Sequence, residues 1–289
     1  MISLEFTIMK IFPFKIPKAK EEALIYQEDR VLFFYDKLHQ HEEIQISYIK
    51  KGEGTILVGD TLTGYQKGDI IVIGSNLPHV FRSEINTNEE SVMLTIFFTP
   101  NSFGKDFFEL PEFKTLTPFF AALKNGFKIS DAPQKMVSQF KKFKKADEFD
   151  RFSIFLKTIK NLCISEKTVL SSFIYEKTLT DNEGKRMQSV FEYVMTNYQK
   201  NITLEEIASV SNMTKNAFCR YFKVRTNKTF FQFLIEIRIE RAGKLLLKNK
   251  EFSVLEIAEF CGFNNISNFN RKFKEIKHIS PLQYRKIYS

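Results

Sequence analysis

The sequence predicts an α+β fold, in which a small β-barrel with flanking helices precedes an all-α domain containing two helix-turn-helix motifs. Three observations support this fold class. Short β-type segments with glycine-containing turns fill residues 31–99, apolar residues at helical spacing dominate after residue 113, and one helix-turn-helix pattern occurs twice after residue 202. The length of 289 residues suits about two domains.

The first hundred residues contain closely spaced segments that we interpret as strands of a sandwich or barrel. Up to about Arg30 the chain reads as a lead-in of one or two strands with a loop at Pro13 and Pro17. Gly-containing turns then separate short runs of β-branched and aromatic residues. The predicted strands are Val31–Tyr35, Ile44–Lys50, Gly54–Val58, Asp69–Ile73, His79–Arg82 and Ser91–Thr99.

The middle of the chain has the periodicity of helices. Apolar residues recur every three or four positions, which favours one buried face on each helix. The polar stretch 174–184 is typical of an interdomain linker. The predicted helices are Phe113–Asn125, Gln134–Lys145 and Phe149–Cys163, and an amphipathic helix Lys185–Gln199 opens the C-terminal domain.

The last third of the chain carries one pattern twice, and each copy fits helix, turn, helix. Thr203 with Glu206 predicts a capping box, and Ser253 with Glu256 predicts the same in the second copy. Gly262 lies in the second turn, where a positive φ is often needed. The remaining predictions are N-caps at Thr214 and Asn265, and one long helix Phe230–Leu247 whose apolar face docks on both motifs.

The outward face of each second helix carries residues that suit DNA. Arg and Lys pair with guanine edges or phosphates, Asn reads adenine, and an aliphatic side chain meets a thymine methyl. Solvated polar residues on a surface helix would look similar, but the same arrangement in two copies favours recognition. The candidate DNA-binding residues are Lys215, Asn216, Cys219, Arg220 and Lys223 in the first copy, and Ile266, Ser267, Asn270, Arg271 and Lys274 in the second.

The positive charge of the chain is confined to the segment that contains the repeat. Residues 185–289 hold 19 Lys+Arg against 9 Asp+Glu, whereas residues 1–184 hold 24 against 25. A basic domain joined to a near-neutral one is the electrostatic pattern of a phosphate-binding protein. A membrane-surface interpretation is weaker, because the apolar helix faces are needed for cores.

Cysteine spacing and catalytic motifs add no second function. Cys163, Cys219 and Cys261 show neither CxxC nor zinc-finger spacing and fit a reducing cytosol. The sequence has no Ser/His/Asp constellation, no Walker loop and no GxGxxG motif. The N-terminus lacks the pattern of a signal peptide.

The repeated segment resembles the DNA-binding domain of AraC/XylS-type transcription regulators. The resemblance implies promoter DNA as partner, frequent activation through RNA polymerase, and effector sensing by the N-terminal domain. Asn227 and His278 stand where the family usually has Gly after each recognition helix, so we expect slightly altered turns there. The matching motifs are Ile207-Ala208, Phe218-x-Arg220-x-Phe222-Lys223, Arg238-Ile239-x-x-Ala242, Ile257-Ala258, Gly262-Phe263, Ser267-x-Phe269-x-Arg271-x-Phe273-Lys274 and Ser280-Pro281-x-x-Tyr284-Arg285.

The N-terminal region resembles the jelly-roll cupin domain of many such regulators. In metal-binding cupins, residues matching His39, His41 and His79 bind a divalent ion together with a carboxylate. Gln45 stands where many relatives have Glu, and an amide is a poor anionic ligand. We therefore predict no metal and no cofactor, and interpret His39, His41, Gln45 and His79 as lining a barrel mouth that receives an unknown small effector. The motifs are His39-x-His41, Gly52-x-Gly54-Thr55, Gly68-Asp69-Ile70 and Asn76-Leu77-Pro78-His79-Val80-Phe81.

Together these expectations describe a cytoplasmic, sequence-specific DNA-binding transcription regulator that is not an enzyme. We expect a cupin-like sensor domain at 1–105, a helical dimerisation segment with the linker at 106–180, and the double helix-turn-helix domain at 185–289. The resemblance implies a homodimer and no membrane association. A metal-dependent cupin enzyme with a basic helical appendage and a non-specific nucleic-acid binder are the alternatives.

Overall fold

Two antiparallel sheets form the N-terminal part of the protein. The computed structural model describes residues 23–84, 89–172 and 181–288. In the larger sheet the strand order is β1-β7-β2-β5-β8-β9, and in the smaller it is β4-β3-β6. The strands are β1 Ile25–Val31, β2 Ile44–Lys51, β3 Gly54–Val58, β4 Thr61–Tyr65, β5 Ile70–Ile73, β6 His79–Ser83, β7 Ser91–Phe98, β8 Phe127–Ile129 and β9 Thr168–Val169.

The larger sheet is buried on both faces, which explains its continuous apolar strands. In β5, Ile70 and Val72 join the core under the middle helices, whereas Ile71 and Ile73 join the core between the two sheets. Successive side chains of a strand point to opposite faces, so a strand covered on both sides needs apolar residues at every position. The space between the sheets is therefore the interior of the barrel.

The strand prediction was correct for most of this region and wrong at its beginning. The first described strand, Ile25–Val31, falls in the lead-in of one or two strands that was expected up to about Arg30. Residues 32–35 of the predicted strand Val31–Tyr35 instead begin a loop that runs to residue 43. Strands β4, β8 and β9 were not predicted; β4 contains Gly64, and β8 and β9 are only three and two residues long. Residues 1–22 of the expected lead-in and most of the expected linker lie outside the described residues.

Three α-helices cover the outer face of the larger sheet: α1 Thr117–Ala122, α2 Gln134–Phe143 and α3 Glu148–Ile164. The predicted helix at 113–125 is in fact a 3-10 segment, Pro111–Leu116, followed by the short α1. Helix α3 begins where Asp147 accepts a hydrogen bond from the Asp150 backbone N–H at 2.8 Å. Its face with Phe155, Ile159 and Leu162 is fully buried.

The described part of the C-terminal domain consists of seven helices. The first starts four residues before the predicted position, so residues 181–184 belong to a helix and not to the linker. Both predicted capping boxes are present, at Thr203 with Glu206 and at Ser253 with Glu256. The helices are α4 Asp181–Asn197, α5 Leu204–Val210, α6 Lys215–Thr226, α7 Phe230–Lys248, α8 Val254–Phe260, α9 Ile266–Lys277 and α10 Pro281–Tyr288.

Helix α7 connects the two helix-turn-helix motifs through two separate cores. Its N-terminal half contributes Phe233 and Ile237 to the core that holds α4, α5 and α6. Its C-terminal half contributes Ala242 and Leu246 to the core that holds α8 and α9. One continuous helix in both cores fixes the two motifs to each other, as the periodicity predicted.

The smaller sheet packs against the C-terminal domain. Leu57 of β3 and Leu62 of β4 belong to the same apolar cluster as Val190 and Phe191 of α4. Ion pairs also join the two domains, since Glu84, directly after β6, accepts from the Lys244 ammonium of α7 at 2.6 Å and also pairs with Lys248. Within the described ranges, no helix is long and apolar enough to cross a membrane.

Candidate nucleic-acid interface and effector pocket

Local sequence signals define both ends of the two second helices, α6 and α9. Thr214 accepts from the Ala217 N–H at 3.4 Å, and Asn265 accepts from the Asn268 N–H at 2.9 Å, so both predicted N-caps are confirmed. Asn227 and His278 end the helices in the left-handed region, with φ of 54° and 63°. The two positions where AraC/XylS-type regulators usually have glycine therefore keep a left-handed conformation, although Asn227 and His278 occupy them.

Each of the two helices buries one face and exposes the other. Phe218 and Phe222 of α6, like Phe269 and Phe273 of α9, are 0% exposed. Nine of the ten candidate DNA-binding side chains are solvent-exposed, so the prediction of an outward face holds for them. Ile266 is the exception: it is half-buried and packs against the second core. The exposed candidates are Lys215, Asn216, Cys219, Arg220, Lys223, Ser267, Asn270, Arg271 and Lys274.

The two central arginines of these faces differ in how they are held. Arg271 donates to the Asn268 side chain at 2.9 Å and lies 3.7 Å from the Glu275 carboxylate, although 64% of its side chain is exposed. Arg220 of α6 is also exposed. Intrahelical contacts therefore restrict Arg271, and Asn268, which was not among the predicted residues, orients it.

The turn of the second motif packs closely on the end of α4. Gly262 has φ of 83°, and a Cβ atom there would lie 2.7 Å from the Gln199 carbonyl oxygen. In the first motif the positive φ is carried by Asn212, at 54°. Both turns thus need a left-handed residue, which glycine and asparagine supply with least strain.

The barrel interior opens into a cavity of about 340 Å³. Its walls are mostly aromatic and aliphatic, with a few buried polar groups at one end. Three of the four predicted pocket residues line it, and His79 lies fully buried just behind. The lining residues are Gln27, Asp29, Val31, Phe33, Phe34, Tyr35, His39, His41, Gln45, Phe81, Met93 and Phe97.

The three histidines of the barrel converge on one point. One ring nitrogen from each of His39, His41 and His79 lies within 4.8 Å of those of the other two. In each ring Nδ1 lies 2.8 Å from a backbone carbonyl oxygen two residues away. A neutral imidazole that donates from Nδ1 carries its lone pair on Nε2.

Burial keeps these imidazoles in the neutral form. It lowers the pKa of His39 to about 4 and lowers the pKa of His79 well below the ordinary value. His79 Nε2 is buried without a hydrogen-bond partner among the described residues. Neutral imidazoles whose ring nitrogens converge on one point are the donor set of a divalent transition metal.

A row of buried polar side chains continues from the histidines across the barrel. Gln45 Oε1 lies 3.2 Å from His41 Nε2, and Gln45 donates to Ser47 Oγ at 2.8 Å. Ser47 Oγ is in turn 2.8 Å from Thr95 Oγ1. Gln45 therefore lies beside the histidines, as the resemblance implied, while Glu43 contacts His41 from its Nδ1 side at 3.8 Å.

The sequence interpretation overlooked two groups of this pocket. Asp29 lines the cavity and accepts from Gln27 at 2.7 Å, and burial raises the pKa of its carboxyl group. Phe34 is 3% exposed and packs in the barrel core, because residues 32–43 form a loop over the mouth. The apolar run at 31–35 suggested a strand, so this lining could not be assigned from periodicity.

Family comparisons agree with these two sites. A helix-turn-helix domain model matches residues 207–287, from α5 to α10, and a cupin domain model matches residues 35–97. The HTH-type transcriptional regulator YdeC of Bacillus subtilis is 27% identical over 262 residues, which is 88% of each chain. The HTH-type transcriptional activator RhaR of Mannheimia succiniciproducens is 23% identical over 256 residues, which is 86% of each chain.

The chain is a transcription regulator that combines an AraC-type helix-turn-helix domain with a cupin domain. The segment matched by the cupin model contains His39, His41 and His79, and the segment matched by the helix-turn-helix model contains α6 and α9. Among solved structures, ToxT of Vibrio cholerae aligns with 93% of the regulator and 100% of its own chain at 15% identity and a TM-score of 0.39. YdeC and RhaR are both named as transcriptional regulators, and neither supports the metal-dependent enzyme alternative.

Proposed function

We propose that the regulator reads promoter DNA by placing α6 and α9 in two successive major grooves on one face of the duplex. The observation that carries this proposal is the pair of helices with buried Phe faces and exposed basic faces, both fixed to α7. Successive major grooves on one face are about 34–36 Å apart, so a rigid connection between the two helices lowers the cost of joint binding.

The exposed side chains would divide into two roles. Lys215, Lys223 and Lys274 would contact phosphates, which gives affinity with strong salt dependence. Arg220 and Arg271 would read base edges, because a guanidinium pairs with guanine through two parallel hydrogen bonds. Asn216 and Asn270 suit adenine, and Ile266, half-buried at the start of α9, would contribute mainly to packing.

Gel-shift titrations on a site selected from a random DNA library test the base-reading role. We expect Arg220→Ala and Arg271→Ala each to lose about 1–3 kcal/mol of binding free energy on the selected site and much less on random DNA. Lys141→Ala, which removes an exposed charge from α2, is the matched control and should change neither affinity.

Equal losses on selected and random DNA would assign that arginine to phosphate contact instead. Unchanged affinity for both DNAs in both variants would contradict the proposed interface itself. Thermal unfolding of each variant checks that the exposed substitutions leave the fold intact.

We also propose that the regulator acts in the cytoplasm and contacts RNA polymerase. It would do so as a homodimer, with the helices of residues 106–172 at the dimer interface. Phe149 and Ile164 near the two ends of α3 are 77% and 81% exposed, which suits an interface. Light scattering on Phe149→Ser and Ile164→Ser should show a larger monomer fraction than in the wild-type protein; unchanged mass would contradict this interface.

A specific observation favours a divalent transition metal as one ligand of the pocket. Ring nitrogens of the three imidazoles lie within 4.8 Å of one another, and His79 Nε2 is buried without a partner in the part of the chain that the structure describes. The prediction of no metal depended on the amide at Gln45, but three imidazoles alone form known open metal sites in proteins. His39, His41 and His79 would hold the ion, and it would act as an effector.

Equilibrium dialysis of the purified regulator against Zn²⁺, Ni²⁺ or Co²⁺ tests this ligand. We expect one bound ion per chain, and at least a tenfold weaker affinity in His41→Gln, because each imidazole supplies one coordination bond. His278→Asn removes the exposed fourth histidine and is the matched control. No stoichiometric ion in the wild-type protein would leave the pocket to an organic effector of the size of the cavity.

A further inference from the structure

The loop at residues 32–43 contacts both domains of the regulator at once. His39 and His41 line the barrel cavity. Leu38, directly before His39, points the other way: it is 5% exposed and belongs to the apolar cluster that contains Val190 and Phe191 of α4. Neighbouring residues of one short segment thus form part of the pocket and part of the interdomain core.

Backbone hydrogen bonds hold both ends of this contact. The Leu38 N–H donates to Gln188 Oε1 of α4. The next residue forms a two-way bridge to β6, since the His39 N–H donates to the His79 carbonyl at 3.0 Å and the His79 N–H donates to the His39 carbonyl at 2.9 Å. With consecutive amides tied to different domains, a shift of His39 changes the position of Leu38 or of Gln188.

Helix α4 is also tied directly to the first recognition helix. Tyr221 of α6 donates from its hydroxyl to the Glu183 carbonyl at 2.8 Å, and Arg225 of α6 pairs with the Glu183 carboxylate. Tyr221 follows Arg220, the proposed base-reading residue. The contacts therefore run without a gap from the pocket to α4 and from α4 to α6.

The second motif is connected to the barrel by a different set of contacts. Lys244 near the end of α7 donates to the Gly54 carbonyl at 2.6 Å and to Glu84 at 2.6 Å. These contacts lie at the start of β3 and directly after the end of β6, and they involve none of the cavity-lining residues. A change in the pocket would thus reach the first motif more directly than the second.

We propose that the loop transmits the state of the pocket to the first helix-turn-helix motif, with Leu38 and Gln188 as the coupling residues. The inference rests on the proposed effector role of the pocket and adds the route by which occupancy reaches DNA. A ligand that contacts His39 or His41 shifts the docking of α4 to the extent that it binds the two arrangements of this loop differently.

A single tryptophan reports the docking of α4 without any effector, because the chain contains no tryptophan. Met195→Trp places the reporter on α4 beside Leu57 and Val80 of the smaller sheet. In this background we expect His39→Gln to shift the emission maximum by several nanometres. Gln188→Ala should shift it similarly, and the double variant should show no further shift, because both substitutions break one route. Glu42→Ala, an exposed change in the same loop, is the control.

Hydrogen exchange provides a second measurement if a reporter variant folds poorly. In otherwise wild-type protein, Leu38→Ala should raise exchange at amides 186–190 about tenfold while exchange in α8 stays unchanged. An unshifted reporter in His39→Gln, additive shifts in the double variant, or equal exchange in Leu38→Ala would each overturn the coupling. A failure of dialysis to find a bound ion would refute the metal proposal and leave these results unaffected.

Discussion

Two residues show how helices α6 and α9 of the regulator end. Asn227 and His278 both adopt the left-handed conformation, with φ of 54° and 63°. In this region a side chain beyond Cβ brings strain, which Asn relieves better than His through local hydrogen bonding. The position at the end of α9 therefore costs more conformational energy than the equivalent position at the end of α6.

We expect His278→Gly to raise the free energy of unfolding by about 0.5–1 kcal/mol, because glycine removes the left-handed strain. Asn227→Gly is the matched control and should change it by only a few tenths of a kcal/mol. Urea denaturation of the purified variants measures both. A loss of stability in His278→Gly would show that the imidazole makes a stabilising contact that outweighs its strain.

The sequence predicted single residues well where a local rule applies. Thr214 and Asn265 cap their helices, as the preceding pattern indicated, because capping depends on neighbours within one turn. The convergence of His39, His41 and His79 was harder to predict, because it depends on β6 meeting the loop before β2. The absence of a carboxylate at Gln45 says nothing about the distances between these three histidines.

At the scale of elements, the spacing of apolar residues and the N-cap residues were enough to predict the helices of the C-terminal domain. Strand β4 was missed because Thr61–Tyr65 is short, half-polar and interrupted by Gly64. The loop at 32–43 was mistaken for a strand at its start because an apolar run at 31–35 looks the same whether it joins a sheet or lines a cavity. Sheet partners far along the chain decide between these outcomes.

The turn between α8 and α9 gives a prediction about how elements pack. In Gly262→Ala the new methyl group would lie 2.7 Å from the Gln199 carbonyl oxygen and 2.9 Å from that of Tyr198, at a positive φ. We expect a loss of about 2–4 kcal/mol in the free energy of unfolding. Gly184→Ala, within α4 and with nothing within 4 Å of its added methyl, should instead stabilise by up to about 1 kcal/mol. Calorimetry of both variants tests the contrast.

At the scale of the whole molecule, the contact between the domains depends on charges far apart in the sequence. Lys228 donates to the Asp60 carbonyl oxygen at 2.9 Å and to Glu236 at 2.8 Å, while Lys244 and Lys248 pair with Glu84. In sequence these residues look like ordinary solvated charges. Their pairing follows from the docking of one domain on the other, which no local pattern specifies.

The acid end of the stability profile should depend on Glu84. Burial alone would raise its pKa, but hydrogen bonds from Lys244 and Lys248 outweigh burial and lower the pKa to about 2. An unfolded glutamate titrates near pH 4.3, so the stabilisation is present above that pH and is lost as the pH falls toward 2. We expect Glu84→Gln to be about 1–3 kcal/mol less stable than the wild type at pH 7, with the difference shrinking below pH 4.

Urea denaturation at a series of pH values measures this difference, and Glu112→Gln, at an exposed position, is the control. A gap between wild type and Glu84→Gln that is constant from pH 7 to pH 3 would contradict the assigned role of the carboxylate. A steeper acid loss in the variant than in the wild type would also contradict it.

The pairing of Lys228, Lys244, Lys248 and Lys277 with carboxylates of the same chain has a consequence for the ionic-strength response. These ammonium groups release few counterions when a duplex arrives, so the cation total of the C-terminal domain overstates the number of ions displaced. Added electrolyte would also weaken the junction between the domains. A plot of log affinity against log salt concentration would then bend once the junction loosens, instead of following a single straight line.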